Sequence, residues 1–442
     1  MAERPEPGLR RAIGLPHAVA MVVGTIIGAS IFVQPSEITG RVPSSTGVFL
    51  VWGVAGVLTL FGSLVCAELA SRLPRTGGVY VFLKESFGGA AGFLWGWAMY
   101  WTMHSGIIAA IATVFARYAG TFVPLGDAGM RAVAIGVILV LSGVNYVGVR
   151  QGATLQALFT AGKLLAVLLI IVVGFALGPR AEIAAAAAPA ADITFTNFAL
   201  ALVAGLFAFG GWHMVTYTAD ETMDAQRTLP RALIAGTLLV TVCYIALNAV
   251  YLHVLPLPTV AASTRIAADA ADAVLGGGGA AFMSGLVMFS TFGALSGIIL
   301  AGPRVYYAMA KDGLAFAWLG AVHPRHRTPH VAIALQAVWS CVLAGTGTYR
   351  ALFTRVIYTE WIFFGLMAIG LMMLRRRPGP EPAYRIRLYP WVPLIFAVAA
   401  FGIVANQIVA EPRESALGLS FVLVGLPVYY LWTRTRGRRS PA

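Results

Sequence analysis

The chain has 442 residues, 59% of them hydrophobic and 11% charged, with a mean hydropathy of +0.80. Soluble domains carry about 45–50% apolar and about 25% charged residues, so water is excluded as the solvent for most of this chain. The net charge of +13 lies in short stretches between apolar runs, as at Arg375–Arg377 and Arg434–Arg439. With no aromatic-interleaved basic stripe, this charge excludes a nucleic-acid partner and leaves a lipid bilayer as the surroundings.

A helix needs about 20 mostly apolar residues to cross about 30 Å of hydrocarbon, and only helices and closed barrels satisfy their backbone there. The runs are too long for strands. In chain order they predict twelve spans, at 13–40, 46–72, 90–120, 130–147, 151–178, 194–220, 231–255, 280–310, 331–349, 355–374, 390–409 and 415–433. The first run lacks a small-residue cleavage site and reads as a retained span, not a secretory signal. With the N-terminus cytoplasmic, about 22 of the 31 Lys and Arg fall on the cytoplasmic side, the expected bias. This predicts a multi-pass protein of the plasma or inner cell membrane with both tails, 1–12 and 434–442, in the cytoplasm. The alanine-rich stretch 181–191 and the glycine run 276–279 read as non-cytoplasmic connections.

Several residues break the rules of a lipid solvent. The first span reads Gly24-Thr25-Ile26-Ile27-Gly28-Ala29-Ser30-Ile31-Phe32, a weak helix because glycine costs about 1 kcal/mol in a helix interior and β-branched neighbours add to it. The sixth repeats the pattern with Gly205-Leu206-Phe207-Ala208-Phe209-Gly210-Gly211-Trp212-His213. Interruptions at matching positions of spans 1 and 6 point to five-plus-five inverted repeats, 13–178 and 194–374, with a central binding site and spans 11 and 12 (390–433) outside them. Freed peptide groups are tolerated in lipid only where they line a cavity. A following half-helix N-terminus favours a carboxylate and freed carbonyls favour an ammonium; one α-amino acid carries both. The alternative is that the small residues only permit close helix packing.

Lys163 stands about 18 Å of helical rise past Gln151, near the midplane, where it cannot easily reach either face. It reads as a fixed ammonium in the place of a coordinating cation, as a titrating group that couples transport to protons, or as a bond to helix-end carbonyls that holds the bundle together. Glu360, before Trp361, reads as a proton relay or a buried, hydrogen-bonded acid. Glu68 reads as an interfacial ion-pair residue beside Arg72 and Arg75, and Asp220, Glu221 and Asp224 as a solvated acidic loop partnering nearby arginines. Trp95, Trp97 and Trp101 read as an aromatic belt or packing. His104 and His213 are lone histidines with no i, i+4 partner, so neither suggests a metal, although His213 can face a cavity. Cys66, Cys243 and Cys341 stand apart, without CxxC spacing, which leaves no disulfide framework or thiolate site. No nucleophile–base pair, Walker loop or metal motif occurs, so neither an enzyme nor a cofactor is expected.

These residues resemble the L-type amino acid transporter branch of the amino acid–polyamine–organocation superfamily. The likeness runs over most of spans 1 to 10. It rests on the span 1 stretch above, on Glu68-Leu69-Ala70 through Pro74-Arg75-Thr76-Gly77-Gly78-Val79-Tyr80 to Glu85-Ser86-Phe87-Gly88, and on Asn145-Tyr146 with Gln156, Phe159-Thr160 and Lys163-Leu164-Leu165. Gly205 to Trp212 is the most similar part, and Phe292-Gly293 with Arg304 and Tyr307 is similar to the family's eighth span. The resemblance implies an all-α, leucine-transporter-type fold that moves amino acids by alternating access without sodium. It implies that Ile27, Gly28, Ala29 and Ser30 meet the substrate carboxylate, and that Phe207, Ala208 and Phe209, with Gly210 and His213 beside them, surround its ammonium and side chain. It also implies that Phe207 gates the site and that Lys163 replaces a sodium ion; Ala301-Gly302-Pro303 offers no hydroxyls for one. Ser30, Phe209 and His213 replace a frequent glycine, tyrosine and asparagine of the family, so its substrate preference does not carry over.

The expected function is therefore sodium-independent transport of neutral, apolar L-amino acids, by exchange or coupled to protons, because no acidic residue is expected near the site. A cationic amino acid or polyamine exchanger is the alternative within the class, and an amino-acid-sensing receptor the alternative outside it. The connection between spans 3 and 4 has no cysteine through which an accessory subunit could be linked, and the sequence sets no oligomeric state.

Overall fold

A computed structural model describes residues 9, 11–28, 30–178, 193–276, 278–347, 349–379 and 381–437. The alanine-rich stretch 181–191, Ala29, Gly277 and the outer parts of both tails lie outside the described residues. Among those described there is no strand, only an isolated bridge between Ile13 and Thr222. Among the described residues, eleven helical stretches are long and apolar enough to cross a membrane. The ninth predicted span, His330–Thr346, is apolar but has 17 residues.

Both interruptions read from the glycines are present. Span 1 runs as a helix over Leu15–Ile26, continues as one turn of 3-10 helix over Ser30–Phe32, and resumes over Gln34–Arg41. Pro35 starts that second half, where a missing N–H costs nothing. Span 6 is helical over Phe195–Ala208, with the Thr194 side chain accepting from the Asn197 amide at its start. It stops at Phe209 and continues as 3-10 helix over Trp212–Glu221. Gly211 makes the turn between the halves at φ +99°, a conformation that a side chain would strain.

Two further irregularities occur, the first without a glycine or proline of its own and the second at a Gly-Pro pair. Span 3 (Gly89–Ala119) contains a π turn at Met99–Met103, and span 8 is divided at Gly302-Pro303 into Gly279–Ala301 and Pro303–Lys311. The connections also hold short helices, including Val79–Phe87 between spans 2 and 3 and Ile266–Leu275 before span 8.

Burial sorts the spans. Spans 1, 3, 6 and 8 are 71%, 78%, 83% and 72% buried inside the protein, while spans 5 (Gln151–Leu177) and 12 (Pro412–Arg434) are 22% and 18% buried. The interrupted helices thus form the centre, and the unbroken spans 5 and 12 face lipid. This is where irregular backbone belongs, since its polar groups need protein partners or a polar cavity.

The face that bears the N-terminal segment and the arginine-rich connections is tied shut by groups distant in sequence. Glu221, expected in a solvated loop, is fully buried and receives two hydrogen bonds from Arg304 of span 8, Nε to Oε2 at 3.0 Å and Nη2 to Oε1 at 3.1 Å. Its carbonyl accepts from the amides of Ala12 and Ile13 at 2.8 and 2.9 Å. Asp220 is exposed and exchanges hydrogen bonds with Thr76. Glu68 is an ion-pair residue as expected, but its partner is Arg375 at the end of span 10 (Tyr349–Arg375), Nε to Oε1 at 2.6 Å, and not Arg72 or Arg75. The Ile386 amide also donates to it.

Candidate functional site

The two breaks face one another and are joined by side chains. The Tyr244 hydroxyl of span 7 (Ala225–Val254) lies 2.9 Å from both the Ile26 and the Ala208 carbonyls, one from each break, and shares its single proton between them. The Thr25 hydroxyl reaches the Gly211 carbonyl at 3.2 Å while also donating back to Met21 at 2.7 Å. Helix-end carbonyls are the groups left without intrahelical partners; here side chains answer them.

Lys163 answers the rest. Its Nζ donates to the carbonyls of Ile27 at 2.7 Å, Gly24 at 3.0 Å and Ser290 at 3.1 Å, and the residue is 1% exposed. An ammonium has three donors, and all three go to carbonyls of spans 1 and 8, an arrangement that suits a fixed cation. The part of span 8 beside it is Ser290, well before the Ala301-Gly302-Pro303 stretch considered from sequence.

Gly24 and Gly28 do different jobs. A Cβ on Gly24 would collide with Gln156 and Thr160 of span 5, so this glycine allows close helix packing. A Cβ on Gly28 would make only ordinary contacts, with the Ala294 Cβ at 3.5 Å and the Ile26 carbonyl oxygen at 4.0 Å, and Gly28 lies at the break.

A narrow, nearly filled cavity lies between the breaks. Span 1 contributes Thr25, Ile26, Gly28 and Ser30; span 6 contributes Phe207, Gly210, Gly211, Trp212 and Met214. Ile107 and Ile111 of span 3 and Ile298 of span 8 add an apolar wall, and Glu360, Trp361 and Phe364 of span 10 close it. A second, wider cavity of about 660 Å³ opens at the opposite face from the Arg304–Glu221 pair, among Gln34, Glu37, Arg41, Arg117 and Glu411. Val203 and Ala204 line the wider cavity and Phe207, one turn later, the narrow one.

Of the residues singled out from sequence, Gly28, Ser30, Phe207 and Gly210 line the narrow cavity. Ile27 does not; it is fully buried and its carbonyl meets Lys163. Ala208 contributes its carbonyl to Tyr244, and the Phe209 ring packs against Trp52 and Tyr244. His213 is 1% exposed within a cage of Trp95, Trp212, Tyr217 and Phe364 rings, behind the cavity. Trp95 is accordingly packing, not a membrane belt. His104 meets the Ile298 carbonyl at 2.8 Å.

Glu360 overturns one expectation. An acidic residue does line the cavity, and among the described residues it makes no ion pair. Its carboxyl is conspicuous in the sequence, but nothing there says that span 10 borders the cavity.

Interrupted central helices, an answered set of carbonyls and a closed cavity between them define a membrane carrier, not an enzyme. The amino acid permease family model matches residues 13–430, and the chain belongs to that family. It is 33% identical to the serine/threonine exchanger SteT of Bacillus subtilis (strain 168) over 427 residues, 96% of this chain and 97% of that protein. It is likewise similar to the human large neutral amino acids transporter small subunit 2, 33% over 440 residues, 96% of this chain and 80% of the other. The human Asc-type amino acid transporter 1 matches at 31% over 438 residues, covering 96% and 82%.

Proposed function

We propose that the chain is a sodium-independent exchanger of neutral L-amino acids working by alternating access. The observation that carries this reading is the meeting of two helix breaks at one cavity whose wall is otherwise largely apolar. The substrate carboxylate lies against the first break, between Gly28 and Ser30, with the partial positive charge of a half-helix start behind it; the Gly28 amide itself donates to the Ile26 carbonyl at 2.8 Å. Its ammonium lies against the carbonyls between Phe207 and Gly210; a carbonyl has two lone pairs, so Ala208 can accept again beside Tyr244. Phe207 gates the passage from the wider cavity. His213 shapes the site through Trp212 and Phe364 without touching substrate.

In this reading residues 13–178 and 194–374 are the two inverted repeats, and both termini are cytoplasmic. The wider cavity is then the outer vestibule and the Arg304–Glu221 pair the closed inner gate. Exchange is favoured over simple uptake by the likeness to a protein named as an exchanger. Lys163, saturated by three carbonyls, supports sodium independence by holding a charge where a sodium ion would otherwise be needed.

Purified protein in liposomes tests this. Uptake of labelled leucine should require unlabelled neutral amino acid inside and should be the same in sodium and choline buffers. Uptake into empty vesicles driven by a sodium gradient would overturn it.

A further inference from the structure

We propose that Glu360 makes the cavity a cation-requiring site, which takes a proton together with a zwitterionic substrate and a side-chain ammonium or guanidinium in place of that proton when the substrate is dibasic. This rests on the exchanger reading above. Glu360 is 6% exposed, lines the cavity, and has no Lys, Arg or His in ion-pair contact among the described residues. A lone carboxylate in such surroundings is costly unless a cation or a proton matches it. The buried or half-buried cations of the bundle are committed elsewhere: Lys163 to three carbonyls, Arg375 to Glu68, Arg304 to Glu221 and Lys84 to Asp312.

The other ionisable groups on the elements packed against span 10 include Cys66 and Arg72 of span 2, Tyr80 and Glu85 of the helix after it, Tyr100, His104 and Tyr118 of span 3, His213 and Tyr217 of span 6, Tyr429 and Tyr430 of span 12, and Tyr358 of span 10 itself, and none of them is in ion-pair contact with Glu360 among the described residues. His104 is bonded to the Ile298 carbonyl. The Tyr217 hydroxyl is within electrostatic reach of Glu360, and it and both ring nitrogens of His213 have no hydrogen-bond partner among the described residues. Neither a phenol nor a neutral imidazole supplies a positive charge, so the matching cation has to arrive with the cargo. For a neutral amino acid it is a proton, carried as the O–H of the carboxyl. For a dibasic one it is the side-chain cation, and the carboxyl then stays ionised.

Exchange of a neutral for a dibasic amino acid consequently moves a proton with the neutral partner and no net charge. Wild-type protein is reconstituted with arginine and the pH dye pyranine inside, and leucine is added outside. The expected result is acidification of the lumen, stoichiometric with arginine released and unaffected by an imposed membrane potential. Arginine release without acidification overturns the proposal, as does failure of arginine to exchange while leucine–leucine exchange proceeds. Glu360→Gln should abolish arginine exchange and flatten the pH dependence of leucine–leucine exchange, which in the wild type falls several-fold from acid to alkaline medium; an unchanged pH profile in the variant overturns the proposal. Absence of any leucine–leucine exchange in the wild type refutes the exchanger reading instead.

Discussion

Lys163 and Ile27 meet at 2.7 Å, side-chain ammonium to main-chain carbonyl, across the contact between span 5 and the broken first span. The same nitrogen holds Gly24 and Ser290, so one side chain fixes spans 1, 5 and 8 at the depth where span 1 loses its helix. Removing it leaves buried carbonyls unanswered, at about 1–3 kcal/mol for each group that stays unsatisfied. Lys163→Met is expected to cut leucine exchange by about tenfold or more, since roughly 1.4 kcal/mol is already a factor of ten. Rates measured in liposomes at matched protein content check this, and exchange near the wild-type rate would contradict it.

Tyr244 plays the corresponding part between the breaks, with its hydroxyl on Ile26 and Ala208 and its ring against Trp52 and Phe209. Tyr244→Phe keeps the ring and removes only the donor, a loss of about 1–3 kcal/mol. A lower melting temperature in detergent is expected, together with weakened substrate competition, because the Ala208 carbonyl loses its anchor. A variant with unchanged melting and unchanged competition would show that the hydroxyl does not hold the breaks together.

Gly211 tests the turn of span 6. Its φ of +99° and the approach of the Thr25 Cβ and carbonyl oxygen to within 3.2 and 3.3 Å of an added Cβ leave no room for a side chain. Gly211→Ala combines backbone strain with a clash, so a cost of about 1–3 kcal/mol is expected along with loss of exchange. Gly24→Ala, by contrast, should act on the packing of spans 1 and 5, with its main effect on melting and expression level.

The Arg304–Glu221 pair is expected to dominate closure of the arginine-rich face. Either alanine variant leaves a buried charge without its partner, at about 3–5 kcal/mol, and should lower the melting temperature strongly. Arg304→Met combined with Glu221→Leu removes both charges and should recover most of that stability. If the double variant melts no higher than the worse single one, the pair does not act as a unit.

How much of this was legible in the sequence follows from the kind of signal each residue carried. Spans and breaks were readable because lipid allows few exceptions: a lysine or a glycine pair inside an apolar run is conspicuous by itself. Lys163, Gly28 and Gly210 were found in that way. What could not be read was who faces whom. Glu68 pairs with Arg375, 307 positions away, and Glu221 with Arg304, 83 positions away; neighbouring charges gave the wrong partners because local spacing says nothing about helix order in the bundle. Glu360 was visible as a charge but not as part of the cavity, for the same reason. Phe209 and His213 flank the break in sequence, yet the turn at Gly211 sends their rings into packing behind it. The π turn at Met99–Met103 had no glycine or proline of its own to announce it.

The central claim is that both charges of an α-amino acid are matched, one at each break. The most direct measurement is competition for leucine exchange by leucine analogues that lack one charge: the amine without its carboxylate, and the carboxylic acid without its ammonium. Neither analogue should compete at concentrations where leucine itself fully displaces the label. Inhibition by either one as strong as that by leucine would mean that only one break binds the substrate, which contradicts the account.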